Sequence, residues 1–144
     1  MKDRFKFRIY CKSENKMMIF NNPTLIDGDI LQGGLLFKNY DHKIKNVHEV
    51  KPEDLILMQC TGRKDERGEL IYEKDIVRTW KFSTGRTQLS VVVWNEARCG
   101  FRLYDIDKYL RDIHCSPQSM VNVTTIEILG NVYENPELLE RQHD

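Results

Sequence analysis

Apolar and polar residues alternate from Phe5 onward: Phe5, Phe7, Ile9 and Cys11 fall on one side, Lys6, Arg8, Tyr10 and Lys12 on the other. That period of two predicts a half-buried strand with a core face and a solvated face. The turn Ser13-Glu14-Asn15-Lys16 lets Met17-Met18-Ile19-Phe20 return as its hairpin partner. Residues 21–55 are interrupted by Asn21-Asn22-Pro23, Asp27-Gly28 and Gly33-Gly34, so short strands joined by turns are expected rather than one helix. Pro52-Glu53-Asp54 has the proline and acids of a helical first turn, with room for one turn before Leu55-Ile56-Leu57-Met58 opens a buried strand.

Over residues 57–77 the pattern runs strand, turn, short strand, acidic turn, strand. Asp65-Glu66-Arg67-Gly68 is a tight turn with a glycine for the positive-φ position. After Asp75, the run Ile76-Val77-Arg78-Thr79-Trp80-Lys81-Phe82 is rich in β-branched and aromatic residues. Ser83-Thr84-Gly85-Arg86 supplies a hairpin turn into residues 88–94, where Leu89, Val91 and Val93 share a face. Residues 95–100 then turn the chain into Phe101-Arg102-Leu103-Tyr104.

There the period changes. Ile106, Tyr109, Leu110 and Ile113 recur at helical spacing behind Asp105 as N-cap. Residues 121–132 return as a closing strand, and Asn135-Pro136-Glu137 starts a short helix through Leu138 and Leu139. The expected fold is therefore mainly β with minor α. It comprises an N-terminal β-hairpin and irregular strand region over residues 1–56 and, over 57–144, an SH3-like small barrel with one inserted short helix and a short C-terminal helix, the alternative being that the two form one compact unit.

Composition narrows the setting more than the chemistry. A chain of 144 residues can bury a real core, and its 22 basic and 22 acidic side chains cancel, so no global field draws it to nucleic acid or an anionic membrane. Cys11, Cys60, Cys99 and Cys115 lack metal-ligand spacing and read as reduced thiols, which with the absence of an apolar leader or membrane span predicts the cytoplasm of a bacterial host cell.

Three blocks resemble the YopX family of phage and prophage proteins. The first is Lys6-Phe7-Arg8 with Lys16-Met17; the second is Leu57-Met58-Gln59, Thr61-Gly62, Lys64-Asp65, Gly68, Ile71-Tyr72-Glu73 and Asp75-Ile76-Val77. The third is Ile126, Ile128, Gly130-Asn131 and the run from Tyr133 through Glu134-Asn135-Pro136-Glu137 to Leu138-Leu139, with Val92, Trp94 and Phe101 between the second and third. The resemblance implies a β-rich, phage- or prophage-encoded protein that forms homo-oligomers, and it brings no catalytic residues with it. Two positions depart from the family pattern: Cys60 stands where an aromatic is common, and Lys74 where a glycine is common. Lys74 then has an ordinary negative φ or bears a modest strain.

Within the second block Thr61, Gly62, Asp65, Gly68, Tyr72 and Asp75 are expected to build turns, the carboxylates capping backbone N–H groups. Asp105-Ile106-Asp107 has the spacing of a carboxylate pair that shares a metal, but a helix N-terminus wants the same acids. His114-Cys115 reads as a loop after the helix, and the cysteines with His42 or His48 have no zinc spacing. No cofactor or metal is implied. Trp80 and Trp94 lie on neighbouring strands, either as a cross-strand pair in the core or, facing outward, as a binding or subunit surface. The resulting expectation is a non-enzymatic accessory protein that self-associates and binds a host or phage macromolecule. The alternative is a nucleic-acid-binding module contacting its ligand through Lys6, Arg8, Tyr10 and Lys12, and a metal-dependent hydrolase ranks below it.

Overall fold

A computed structural model of the chain describes residues 6–20, 52–81, 84–113 and 117–140. Expectations for residues 21–51, including His42 and His48, and for Phe82, Ser83, His114 and Cys115, lie outside the described residues. The described part is mainly β, with short helical segments.

Among the described residues, nine strands form two sheets. The first is four-stranded in the order β2-β1-β3-β4, from β1 (Phe7–Cys11), β2 (Lys16–Phe20), β3 (Leu55–Lys64) and β4 (Leu70–Tyr72). The predicted hairpin pairs Cys11 with Lys16 and Phe7 with Phe20, and β1 also pairs with β3 from Leu55 to Gln59. A 3-10 turn at Pro52–Asp54 precedes β3 as expected. Further along, β3 pairs with β4 across a bulge between Cys60 and Lys64, where Gly62 adopts φ +82°. The division expected between residues 56 and 57 therefore falls inside β3, which is one continuous strand shared by the hairpin and the motif.

The second sheet is five-stranded, β8-β7-β6-β5-β9, from β5 (Asp75–Lys81), β6 (Arg86–Asn95), β7 (Gly100–Asp105), β8 (Gln118–Ser119) and β9 (Thr125–Asn131). The closing strand is shorter than residues 121–132 because a 3-10 turn occupies Met120–Asn122. Helix α1 (Ile106–Leu110) starts at the predicted cap, Asp105 accepting from the Lys108 N–H at 2.8 Å, and stops before Asp112, whose φ is +55°. The short helix α2 covers Glu137–Glu140.

Both faces of this sheet are packed, following the period of two. Val77, Val92, Leu103 and Ile126 face Ile71 of β4 and the segment containing Met120 and Val123. Ile76 and Val91 face Ile106 of α1, with Tyr109, Leu138 and Leu139 of the two helices packed alongside. Helix α1 lies on the sheet because its i, i+3 stripe, Ile106 and Tyr109, gives that face apolar cover.

Candidate functional site

The two sheets meet at the 57–77 motif, and two carboxylates make the joint. Asp65 ends β3. Its Oδ1 accepts from the backbone N–H groups of Arg67 and Glu69, both at 2.9 Å, and its Oδ2 accepts from the Ile128 N–H of β9 at 3.2 Å. Burial pushes the Asp65 carboxyl up, but those donors and the Arg67 charge together outweigh it and hold the pKa below the usual carboxylate value. Gly68 completes this turn at φ +83°. Thr61 Oγ1 donates to the Ile71 carbonyl at 2.8 Å and accepts from the Arg63 N–H at 3.1 Å, pinning β3 to β4 across the bulge.

Asp75 starts β5 and is 1% exposed. Its Oδ2 accepts from the Tyr72 N–H at 2.8 Å, the turn bond that its position predicts, while Oδ1 receives Arg8 Nη2 of β1 at 2.6 Å. The same Nη2 donates to the Glu73 carbonyl at 3.0 Å, and the guanidinium lies 4.8 Å from the centroid of the Tyr72 ring. Burial dominates the Asp75 carboxyl and pushes its pKa up to about 6 despite the adjacent Arg8 charge and these hydrogen bonds.

The solvated face predicted for β1 is corrected by this packing. Arg8 and Tyr10 are each 7% exposed; Arg8 is taken up by Asp75, and Tyr10 stacks on Tyr133 with centroids 5.0 Å apart. The physical reason is what lies over that face: Tyr72, Glu73 and Asp75 of the motif meet Arg8, and Tyr133 meets Tyr10. Of the basic-strand residues, Lys12 is exposed and Lys6 half-buried.

The corner between the sheets opens into a cleft of about 480 Å³. Lys6, Arg8 and Ile19 line it from the hairpin, and Ile128, Gly130 and Asn131 from β9. Between them stands the motif, with Lys64, Asp65, Arg67 and Gly68 at the first turn and Glu69, Leu70, Tyr72 and Asp75 beyond it. Arg67 reaches out of the turn to Glu127, 3.0 Å away.

The remaining expected sites are not brought together. Trp80 and Trp94 do not pair: Trp80 is opposite Thr87, Trp94 is opposite Phe101, and the two indoles project from opposite faces of the sheet. The parity of the strands decides this, since Trp80 shares a face with Ile76 while Trp94 shares one with Val92. Trp80 is 42% and Trp94 41% exposed, and Trp94 meets Phe101 edge-on at 5.1 Å. Asp105 caps α1 and Asp107 pairs with Arg111 at 3.0 Å, so both acids serve the helix. Among the described residues no three His, Cys, Asp or Glu side chains cluster as metal ligands, and no helix is long and apolar enough to cross a membrane. Lys74 adopts φ +67°, the strained alternative of the two expected.

Sequence reasoning missed the Arg8–Asp75 pair. Both residues stand in the family blocks, but strand periodicity assigns Arg8 a side of the strand and says nothing of what covers that side.

The family description "YopX protein" matches residues 6–140. The SPbeta prophage-derived uncharacterized protein YopX of Bacillus subtilis strain 168 is 32% identical over 74 residues, a match spanning 51% of this chain and only 53% of that relative. Among solved structures, protein EF1440 from Enterococcus faecalis shares 25% identity at a TM-score of 0.52, covering 93% of this chain and 96% of its own. Protein yopX from Bacillus subtilis shares the fold at 19% identity and a TM-score of 0.51, covering 94% of this chain and 98% of its own. A match that runs through nearly the whole chain shows the family, and this chain is a member of the YopX family of phage proteins.

Proposed function

We propose that this protein is a non-enzymatic phage accessory protein that self-associates and binds a macromolecular partner in the host cytoplasm. The observation that carries this reading is the placement of Trp80 and Trp94, two large aromatics roughly two-fifths exposed on opposite faces of one sheet. Aromatic anchors dominate the energetics of protein contacts, and two on opposite faces provide two separate contact surfaces. The motif carboxylates support the non-enzymatic half of the reading. Asp65 and Asp75 are engaged by backbone N–H groups and Arg8, which leaves them as joints between sheets rather than as acid and base.

The nucleic-acid alternative loses support, because Arg8 and Tyr10 of its contact strand are interior. Native mass spectrometry of the chain purified from a bacterial cytoplasm tests the proposal: a multimer, alone or carrying a host protein, is expected. A bare monomer at micromolar concentration would contradict it. Co-purification of nucleic acid, with retardation of labelled DNA or RNA that weakens steeply with salt, would favour the alternative.

A further inference from the structure

The five-stranded sheet carries a second hollow, away from the corner. Trp80 shares a face with Ile76, on which the two helices pack around Ile76 and Val91, but its indole stands four residues further along β5 and is 42% exposed. The strand register places Thr87 of β6 on one side of it and Thr125 of β9 on the other. A groove of about 250 Å³ runs over these three side chains and is bounded by Glu66, Arg78 and Glu127. Its charges cancel. Glu127 is shared, Oε2 accepting from Arg78 and Oε1 from Arg67 outside the groove, each at 3.0 Å, and Glu66 balances the guanidinium charge left over. Glu66 and Thr87 are exposed and Thr125 is half-buried, and among the described residues none of their side-chain oxygens is bonded to protein.

From this geometry we infer that the groove binds a sugar ring of a glycan. The indole offers a flat apolar surface to the C–H face of the ring, and the threonine hydroxyls and the Glu66 carboxylate stand around it to pair with ring hydroxyls, which both donate and accept. Other occupants fit less well. A nucleobase stacks on an indole equally, but it brings phosphate charge to a groove with no net positive charge to receive it. An aliphatic side chain would cover the ring while stripping water from the two threonines and Glu66 without replacing those hydrogen bonds. A cationic side chain attracted by Glu66 and the indole would meet the charge of Arg78 beside them. The inference rests on the reading of Trp80 as a partner contact and names the chemistry of that partner; Trp94 has no part in it.

The test is NMR titration of the full chain with cellobiose, maltose and chitobiose, using adenosine monophosphate as the base probe and N-acetylleucinamide as the side-chain probe. Saturable binding of at least one disaccharide is expected at about 1–10 mM, with the Trp80 indole N–H shifting and that of Trp94 unmoved. Trp80→Ala should weaken it at least about ten-fold, and Thr87→Val, which keeps the shape and removes the hydroxyl, about three-fold. Both side chains are exposed, so folding is retained and is checked by the unchanged remainder of the spectrum. The proposal is overturned by no saturation with any of the disaccharides up to about 100 mM. It is equally overturned by tighter binding of either other probe, or by affinities indifferent to both substitutions. The native mass of the same sample separates this inference from the proposed function. A multimer that binds no disaccharide overturns the glycan and leaves self-association, whereas a monomer that binds one overturns self-association and keeps the glycan.

Discussion

Single residues here carry more of the architecture than their types suggest. Lys74 occupies the left-handed region, a conformation that costs a side-chain-bearing residue roughly 1–2 kcal/mol. It is retained because its backbone is tied on both sides, its N–H donating to the Val92 carbonyl at 2.7 Å and its carbonyl accepting from Val132 at 3.1 Å. Its ammonium also lies 5.1 Å from the Tyr109 ring centroid. Lys74→Gly relieves the strain but loses that contact and loosens the unfolded chain, so urea unfolding should place it within about 1 kcal/mol of the parent. Lys74→Val, branched at Cβ and without the ammonium, should lose about 2 kcal/mol; equal midpoints for the two variants would refute the strain. Asp75 makes a second prediction. Its folded pKa of about 6 lies above the unfolded 3.8, so the native state takes up the proton first as pH falls. Its contribution to stability is complete below 3.8 and is lost as pH rises through 6. Asp65 has the opposite sign and loses its contribution only below its ordinary value of 3.8, which leaves the window between to Asp75. Stability of the parent relative to Asp75→Asn should therefore increase from about pH 7 to about pH 4.5, and parallel denaturation curves over that range would contradict the assignment.

At the scale of elements, the turns are what couple one sheet to the other. Gly130 near the end of β9 lies against the Asn135 side chain that prepares α2, where a Cβ would stand 2.5 Å from Asn135 Cγ. Asn135 Oδ1 accepts from the Asn131 N–H at 3.2 Å, so the amide cannot swing away without opening that bond. Gly130→Ala should cost about 1–3 kcal/mol by overpacking. In the double variant with Asn135→Ala the loss should fall short of the sum by at least about 0.5 kcal/mol, and strict additivity would show the two are not in contact. The other joint is Arg8. Removing its side chain leaves Asp75 buried opposite no cation, so Arg8→Ala should lose about 3–5 kcal/mol by urea unfolding, whereas truncating exposed Lys12 should cost less than about 0.5 kcal/mol. The strand and helix sites were legible beforehand because periods of two and 3.6 are local. The β1 hairpin, the turn at Gly68 and the Asp105 cap all lie where the pattern put them. The β3 bulge and the shortened β9 were not, since both depend on which strand lies alongside.

For the whole molecule, the two tryptophans set the expected assembly. Trp80→Ser and Trp94→Ser each remove one exposed anchor from a different face, so each should lower the mass measured by size-exclusion light scattering while leaving the melting transition nearly in place. A parent and variants of identical mass would argue that neither indole is a subunit contact. The amino-acid sequence by itself determined the class of the fold, most strand positions, the capped helix and the family, because propensity, periodicity and turn chemistry act between residues a few positions apart. It also located Asp65 and Asp75 as turn residues, through the spacing of glycine and acid around them. What only the tertiary structure decided is which faces are covered. Arg8 and Tyr10 lie inside because the motif and Tyr133 cover that face of β1, and Trp80 and Trp94 part because the register of β5 with β6 gives them opposite parity. The cleft likewise has no signature along the chain, for Lys6, Lys64 and Asn131 meet only where two sheets join. A local pattern gives a side chain its direction; whether that direction ends in water, in a core or at another charge depends on contacts between residues distant in sequence.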